Sequence, residues 1–312
     1  MSAAQRGELV DQLAWHLRPH KVVVHHDYRK LADFRPTGAN IELIPNPLDT
    51  GWGTWGFCDA IFHTLRYALE QYDFDYFQLL SPTCMPLRPI QEFEAFVATD
   101  QADVHADQML VTRDDDTLMS FGYRTFARFP SLRFKILRRL RSWYFSQGTD
   151  VIQTHSLAML RLRDADRSRT LPARSALWLT RQAALGRLGG HPFGAGLQPM
   201  IGGTFFGARR AVCEYLVELH ARTAIPQYLK HLSLVDETLF ATLIGNSNFL
   251  IGPSNHAIND FNKVGHPKWI ELVDLERLAA TGRFFGRKFS EDPYSPIRQV
   301  LLDRLGNRWP TV

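Results

Sequence analysis

Apolar positions recur along this chain with two periods, one of a helix face and one of a strand. GELVDQLAWHL sets Leu9, Leu13 and Leu17 four residues apart, the spacing of one helical stripe, and KVVVHHD follows with a short buried strand over Lys21–His25. RPTGANIELIPNPLDTGWGTWG is rich in turn residues and carries a short strand near Ile41 to Ile44. From Phe57 to Tyr72 the positions Ile61, Phe62, Leu65 and Leu69 predict a helix that opens after Gly56. DYFQLLS reads as a strand, PTCMPLRP as a proline-bounded loop, IQEFEAFV as a helix and ADVHAD as another strand. Strands alternating with helices over the first 110 residues predict an α/β sheet whose ligands lie at the carboxyl ends of its strands.

The middle of the chain is less regular. SLRFKILRRLRSWYF is predicted as a helix with Leu132, Ile136, Leu140 and Trp143 on one side, and residues 161–190 as a second helical segment closed by glycines. IGGTFFGARRAVCEYLVEL then predicts a short strand, a turn and a helix, and SLVDETLFATLIG a further helix. No repeat or low-complexity linker divides the chain. One domain over residues 1–312 is the economical reading, with a helical insertion at about 124–190 and a tail from 290 to 312.

Charge changes this picture locally. The net charge is +4, yet between Arg124 and Arg187 fourteen Lys and Arg face three acids, which leaves about −7 for the rest. Such a segment can cover the core with a solvated basic face, lie on an anionic membrane, or bind nucleic-acid phosphates. No nucleic-acid-binding motif accompanies it, so nucleic acid is not expected as a partner. Three widely separated cysteines (Cys58, Cys84, Cys213) argue against a disulfide scaffold and suit a reducing cytoplasm. No apolar run reaches the length of a spanning helix. A cytoplasmic protein, peripheral on the inner membrane face at most, is the expectation.

Two acidic runs raise the question of a metal. Asp73 and Asp75 stand at the amino end of their strand, away from the ligand end of such a sheet, and too few oxygens converge there for a hard cation. Asp114, Asp115 and Asp116 follow a strand and sit better, but read as an exposed turn.

Four stretches in order resemble the core-2/I-branching N-acetylglucosaminyltransferase family, which also includes the peptide xylosyltransferases. They are VVHHD, GWGTWGFCDA with DYFQLLSPTCMPLR, GGTFFGARRAVCEYL with VDETLFATL, and HPKWIELVDLERLAATGRFFGRKF. The resemblance runs from about residue 8 to 290 and suggests a bacterial member. It implies a GT-A-like, Rossmann-type mixed sheet flanked by helices. It also implies inverting transfer, without a metal, from a nucleotide sugar (UDP-linked, with N-acetylglucosamine one candidate sugar) to a glycan or lipid-linked saccharide hydroxyl. No other cofactor is expected.

The family's catalytic base falls on Glu237. Ser233 and Asp236 make a capping-box pattern that would set Glu237 in the first turn of a helix, where it can take the acceptor hydroxyl's proton. The same carboxylate can instead simply complement the helix dipole. The family's leaving-diphosphate cation falls on Lys288, with Arg287 beside it as a second contact. A further family arginine aligns with SNHAINDFNK, which has none; His256 and Lys263 stand nearest. On the donor side Asp27 matches a uracil-contacting residue, and His25, Trp52, Gly53 and Ser81 fall in the donor segments. Trp52 can stack on the donor or pack its own loop, whereas Trp55 reads as core. Cys84 stands where relatives carry an acid. Relatives begin with a strand ahead of the first helix; this chain begins with the helix, so either another segment replaces that strand or the base pocket is weaker. Two other classes stay open, a metal-dependent transferase using Asp114 to Asp116 and a non-catalytic basic surface binder.

Overall fold

The strand–helix alternation of the first 110 residues is present in the folded chain. A computed structural model describes residues 6–146, 148–154, 156–163, 170–188, 190–194, 196–223, 225–262 and 265–306. The first part runs α1 (Gly7–His16), β1 (Val22–Val24), β2 (Ile41–Leu43), α2 (Trp55–Gln71), β3 (Tyr76–Gln78), β4 (Met85–Pro86), α3 (Ile90–Thr99), β5 (Val104–His105), β6 (Met109–Leu110) and α4 (Asp115–Thr125). The basic middle follows as α5 (Leu132–Tyr144), β7 (Thr149–Thr154), β8 (Leu157–Leu162) and α6 (Leu171–Ala184). The last part is β9 (Met200–Ile201), β10 (Gly207–Arg209), α7 (Arg210–Arg222), α8 (Ile225–Leu229), α9 (Val235–Gly245), β11 (Ile251–Gly252), β12 (His256–Ile258), α10 (Leu275–Ala279), β13 (Phe285–Arg287) and α11 (Pro296–Arg304).

The chain is a mixed α/β protein built on several small sheets. Four strands pair in the order β11-β5-β10-β3, with β10 antiparallel to both neighbours and β11 parallel to β5. β1 and β2 form a separate parallel pair, and β12-β13-β4 a third sheet. α2 carries Cys58, Ile61, Phe62 and Leu65 into the main core, together with Val212 and Leu216 of α7 and Leu239 and Phe240 of α9. Asp73 and Asp75 precede β3 in an irregular turn, Asp73 fully exposed, as expected from their place ahead of the apolar run.

The basic segment differs from the all-helical expectation. Residues 149–162 pair as an antiparallel hairpin, with Leu157, Met159 and Leu162 buried. This two-residue alternation outweighs the helical reading of residues 161–163, and residues 164–169 (with Asp164 and Asp166) lie outside the described residues. Asp114 to Asp116 do not form an exposed turn. Asp114 caps α4 by accepting from the Thr117 N–H at 2.7 Å, while Asp115 pairs with Arg181 and Tyr144 donates to Asp116. The buried face of α5 also differs from the expected one: Phe134, Leu137, Leu140 and Tyr144 turn inward against α4 and α6, and Leu132, Ile136 and Trp143 face solvent. Both stripes have helical spacing, and only the neighbouring helices decide between them.

α11 is tied down by one cation. Arg298 is fully buried: its Nε donates to the Ser290 carbonyl at 2.7 Å, one terminal nitrogen to Gln12 Oε1 at 2.7 Å, and the other to the Pro82 carbonyl at 3.0 Å. Burial draws its pKa down to about 10, so it stays charged at neutral pH. These bonds join α1, the loop after β3 and the C-terminal helix. Arg298→Ala leaves several buried acceptors unpaired and should cost about 3 kcal/mol in urea unfolding. A loss within about 0.5 kcal/mol would show that this junction is dispensable.

Candidate active site

The turn between β9 and β10 lies against the first turn of α9. Gly202 donates its N–H to the Glu237 carbonyl at 2.9 Å, and a Cβ at Gly202 would collide with the Asp107 carbonyl oxygen. Two residues on, the Thr204 hydroxyl donates to Asp236 at 2.7 Å. That contact replaces the expected capping box: the residue ahead of α9 is Leu234, in the left-handed region at φ 53°, and no side chain caps the helix. Asp236 faces Thr204 across the turn, so Ser233 has no partner in it. Gly53, at φ +63°, fits beneath Leu234; its added Cβ would meet the Leu234 Cδ2 at 2.7 Å, and the Leu234 N–H donates to its carbonyl at 3.2 Å. The GWGTWG loop thereby sets the start of the helix that carries Glu237.

Glu237 does lie in the first turn of α9, with its carboxylate about a quarter exposed and ion-paired to buried Arg124 at 2.6 Å. Burial raises its pKa above the ordinary carboxylate range; Arg124 opposes the rise and Asp236 adds to it. Arg124, which stacks on Phe121 at 4.9 Å, is a site residue that sequence reasoning missed. It counted only as the first residue of the basic segment, because no helix was expected after the Asp114 to Asp116 run, where α4 now aims it.

Behind this pair lies a group of cations. Arg287 stacks over Phe205 at 4.8 Å and is attracted to Asp236. His256 packs between Phe205 at 4.9 Å and Phe285 at 5.6 Å, with Nε2 buried and unpartnered. Burial, Arg287 and Arg283 hold the His256 pKa down near 3. It is therefore neutral at ordinary pH and cannot supply the positive charge expected of a leaving-group contact, though it can donate a hydrogen bond. Arg283, with Asp107 at 4.0 Å, was also missed; its even spacing from Arg287 in an extended run was the available signal. Lys288 points the other way, its Nζ 3.9 Å from the centroid of the Trp269 ring, and burial followed by Arg287 lowers its pKa. Adjacent positions on an extended segment diverge, so Arg287 and Lys288 do not converge on one point. Lys263 lies outside the described residues.

The donor candidates are placed differently. Trp52 is 77% exposed, its ring centred 6.1 Å from that of His266, while Trp55 is half-buried and stacks on His220. The Asp27 carboxylate is buried and saturated: Arg29 reaches both oxygens at 2.9 and 2.8 Å, and the Thr50 N–H and hydroxyl add bonds at 2.8 and 3.1 Å. These bonds, Arg29 first, hold it well below the usual carboxylate range. In this conformation it is a clasp between the end of β1 and the loop after β2, not a free base-reading group. His25 accepts from the Leu48 N–H at 2.9 Å, is buried, and has its pKa lowered to about 4. Ser81 is buried against Thr83 at 3.1 Å and the Cys84 sulfur at 3.2 Å.

Thus Glu237, Arg124, Asp236, Arg287 and His256 form one connected group, joined to Gly53 through Leu234, whereas Asp27, His25 and Ser81 belong to the ends of β1 and β3. Among the described residues no three His, Cys, Asp or Glu side chains are grouped so that they could hold a metal ion. A cavity of about 710 Å³ lies between β1 and β3, and neither Glu237, Arg124, Arg287 nor Lys288 lines it. No protein-family model matches this chain, and no curated protein matches it.

Asp27→Asn tests the clasp. Because the folded carboxyl titrates below its unfolded value, its stabilisation is present above pH about 4 and is lost as the pH falls through the folded pKa. The variant should therefore unfold at lower urea than the native chain at pH 7, and the gap should close at lower pH. Equal midpoints at pH 7 would mean that the carboxylate is not structural.

Proposed function

We propose that this chain is an inverting glycosyltransferase that needs no metal ion and moves a sugar from a UDP-linked donor to a hydroxyl of a glycan or lipid-linked saccharide. The observation that carries the reading is the Glu237–Arg124 pair, its carboxylate partly open to solvent beside the buried cations. An ionised carboxylate with a raised pKa is a stronger proton acceptor than an ordinary one, and Arg124 fixes its orientation. The acceptor oxygen attacks the anomeric carbon, its proton passes to Glu237, the bond from carbon to the diphosphate oxygen breaks, and the nucleoside diphosphate leaves. Arg287 opposes the charge that develops on it, with Arg283 close behind; Lys288, turned toward Trp269, takes no part in this conformation. The four-stretch resemblance to the core-2/I-branching family points the same way, and a GT-A-like arrangement of the sheets is part of this proposal.

Thermal unfolding with UDP, GDP, CDP, dTDP and CMP, each in chelator and in magnesium or manganese, tests it. UDP in chelator should raise the midpoint; a ligand at 100 times its Kd contributes about 2.7 kcal/mol. Glu237→Gln should keep that shift while its turnover falls at least about 100-fold. Stabilisation only with metal would overturn metal independence, and native turnover in Glu237→Gln would remove Glu237 from the mechanism.

The basic segment supports a lipid-linked acceptor. α5 presents Leu132 (74% exposed), Ile136, Arg139 and Trp143 as a solvent-facing stripe, and α6 presents Leu171, Arg174, Trp178 (60% exposed) and Arg181. Aromatics and arginines sharing an exposed helix face suit the interface of an anionic bilayer. No helix among the described residues is long and apolar enough to cross a membrane. Sedimentation with vesicles should show binding that requires anionic lipid, weakens with salt and drops about tenfold or more in the Trp143→Ala, Trp178→Ala double variant. Equal recovery with neutral and anionic vesicles would overturn it.

A further inference from the structure

On one face of the four-stranded sheet the register sets Gln78 of β3, Gly207 of β10, His105 of β5 and Gly252 of β11 in a single row. The two glycines leave room for polar side chains to cross that face. A Cβ at Gly207 would collide with the Tyr76 hydroxyl and the Gln78 side-chain oxygen, and one at Gly252 would press on the His105 ring. A hydrogen-bonded chain runs through this space from Asp100, at the end of α3, to His256 in the candidate site. Its links are Asp100 to His105 Nε2 at 3.2 Å, His105 Nδ1 to the Tyr76 hydroxyl at 2.8 Å and Tyr76 to Asn255 at 2.9 Å. Asn255 then meets Gln78 at 3.2 Å, and Gln78 meets His256 Nδ1 at 3.4 Å, the longest link.

Proton positions along the chain follow from one fixed acceptor. The Phe206 carbonyl can only accept, and it takes a Gln78 N–H at 3.1 Å, so the Gln78 oxygen faces Asn255. Asn255 therefore presents its NH2 group to both Gln78 and Tyr76, and the phenol gives its own proton to His105 Nδ1. His105 carries its proton on Nε2, facing Asp100. In the other direction the second Gln78 N–H donates to His256 Nδ1. His256, neutral at ordinary pH, then keeps its one proton on Nε2.

That N–H is the one end of the chain left open. His256 is 2% exposed, and its Nε2, like Arg287 Nε and Arg283 Nη1, is buried without a partner among the described residues. Buried donors without acceptors are destabilising, so three of them in one group of side chains call for an acceptor from outside the chain. An anion with several oxygens meets that need. We infer that Gln78 is a positioning residue: it holds His256 with its proton on Nε2, so that this N–H donates to a phosphate oxygen of the bound donor. This role rests on the proposed reading of the site as the holder of the donor's diphosphate. Asn255, Tyr76, His105 and Asp100 serve it by keeping the Gln78 amide from turning over, which would set its oxygen against the Phe206 carbonyl and reverse the His256 tautomer.

Nitrogen-15 NMR of the histidine rings, with His256 assigned by its loss in His256→Phe, reads the tautomer, and calorimetry with pyrophosphate reads the contact. In the native chain Nε2 should be protonated and Nδ1 bare, and pyrophosphate should move the His256 Nε2–H signal. Gln78→Glu, which keeps the size but offers only acceptors, should bring a proton to Nδ1. Gln78→Leu and His256→Phe should each weaken pyrophosphate at least about tenfold, and the double variant no further than either alone, because Gln78 acts through His256. His256→Gln, which keeps an N–H near the Nε2 position, should restore most of the affinity lost in His256→Phe. A native Nδ1–H tautomer, an unchanged tautomer in Gln78→Glu, or additive losses in the double variant each overturn the inference. Pyrophosphate that fails to bind, or binds without moving the His256 signal, overturns it too. If pyrophosphate binds through His256 while UDP gives no thermal shift, the phosphate contact stands and only the UDP donor falls. UDP that binds without moving the His256 signal leaves the transferase reading and removes this contact.

Discussion

Gly202 is the joint on which the candidate site depends. Its N–H is bonded to the Glu237 carbonyl, and the Asp107 carbonyl oxygen presses so closely that no side chain fits. This approach fixes the β9–β10 turn against α9, and with it Thr204 on Asp236 and Phe205 under Arg287. Asp107 ties in further pieces, since Ser156 of the β7–β8 turn donates to its carboxylate and Arg283 approaches it at 4.0 Å. A Cβ at one position would therefore displace the helix start, the cation group and the hairpin together.

The electrostatics of the site follow from burial. Two carboxylates, Asp236 and Glu237, lead α9, and each is met by a guanidinium, Arg287 by attraction and Arg124 by direct contact. Buried ionised groups persist only where such partners exist, while a buried histidine whose burial outweighs any nearby acid gives up its proton. His256 and His25 both follow the second course, one down near 3 and the other to about 4. The site therefore offers one basic carboxylate, several fixed cations and neutral imidazoles, a set suited to taking one proton and stabilising one departing anion.

Much of the fold was legible because local patterns and tertiary structure agree. α1, β1, α2, α3 and α9 fall where periodicity placed them, and the turn at Asp73 to Asp75 follows from the apolar run that starts after it. The β7–β8 hairpin and α4 were not legible, the first because apolar neighbours (Val151-Ile152, Leu157 to Leu160) blur its alternation, the second because three aspartates resemble a turn until one of them caps a helix. The capping box at Ser233 and Asp236 is a local pattern that a tertiary partner, Thr204, displaced.

By itself the sequence determined the helices and most strands over the first 110 residues (β4, inside the expected PTCMPLRP loop, and β6 excepted), that the positive charge is concentrated between Arg124 and Arg187, and that Glu237 opens a helix. Those properties depend on neighbours a few residues away. Only the tertiary structure decided that Arg124 pairs with Glu237, that Asp27 is saturated by Arg29 and Thr50, that Arg287 and Lys288 diverge, and that β1 and β3 line opposite sides of one cavity. Each of these joins or separates groups whose distance is set by the packing of whole elements, and no local periodicity carries that distance.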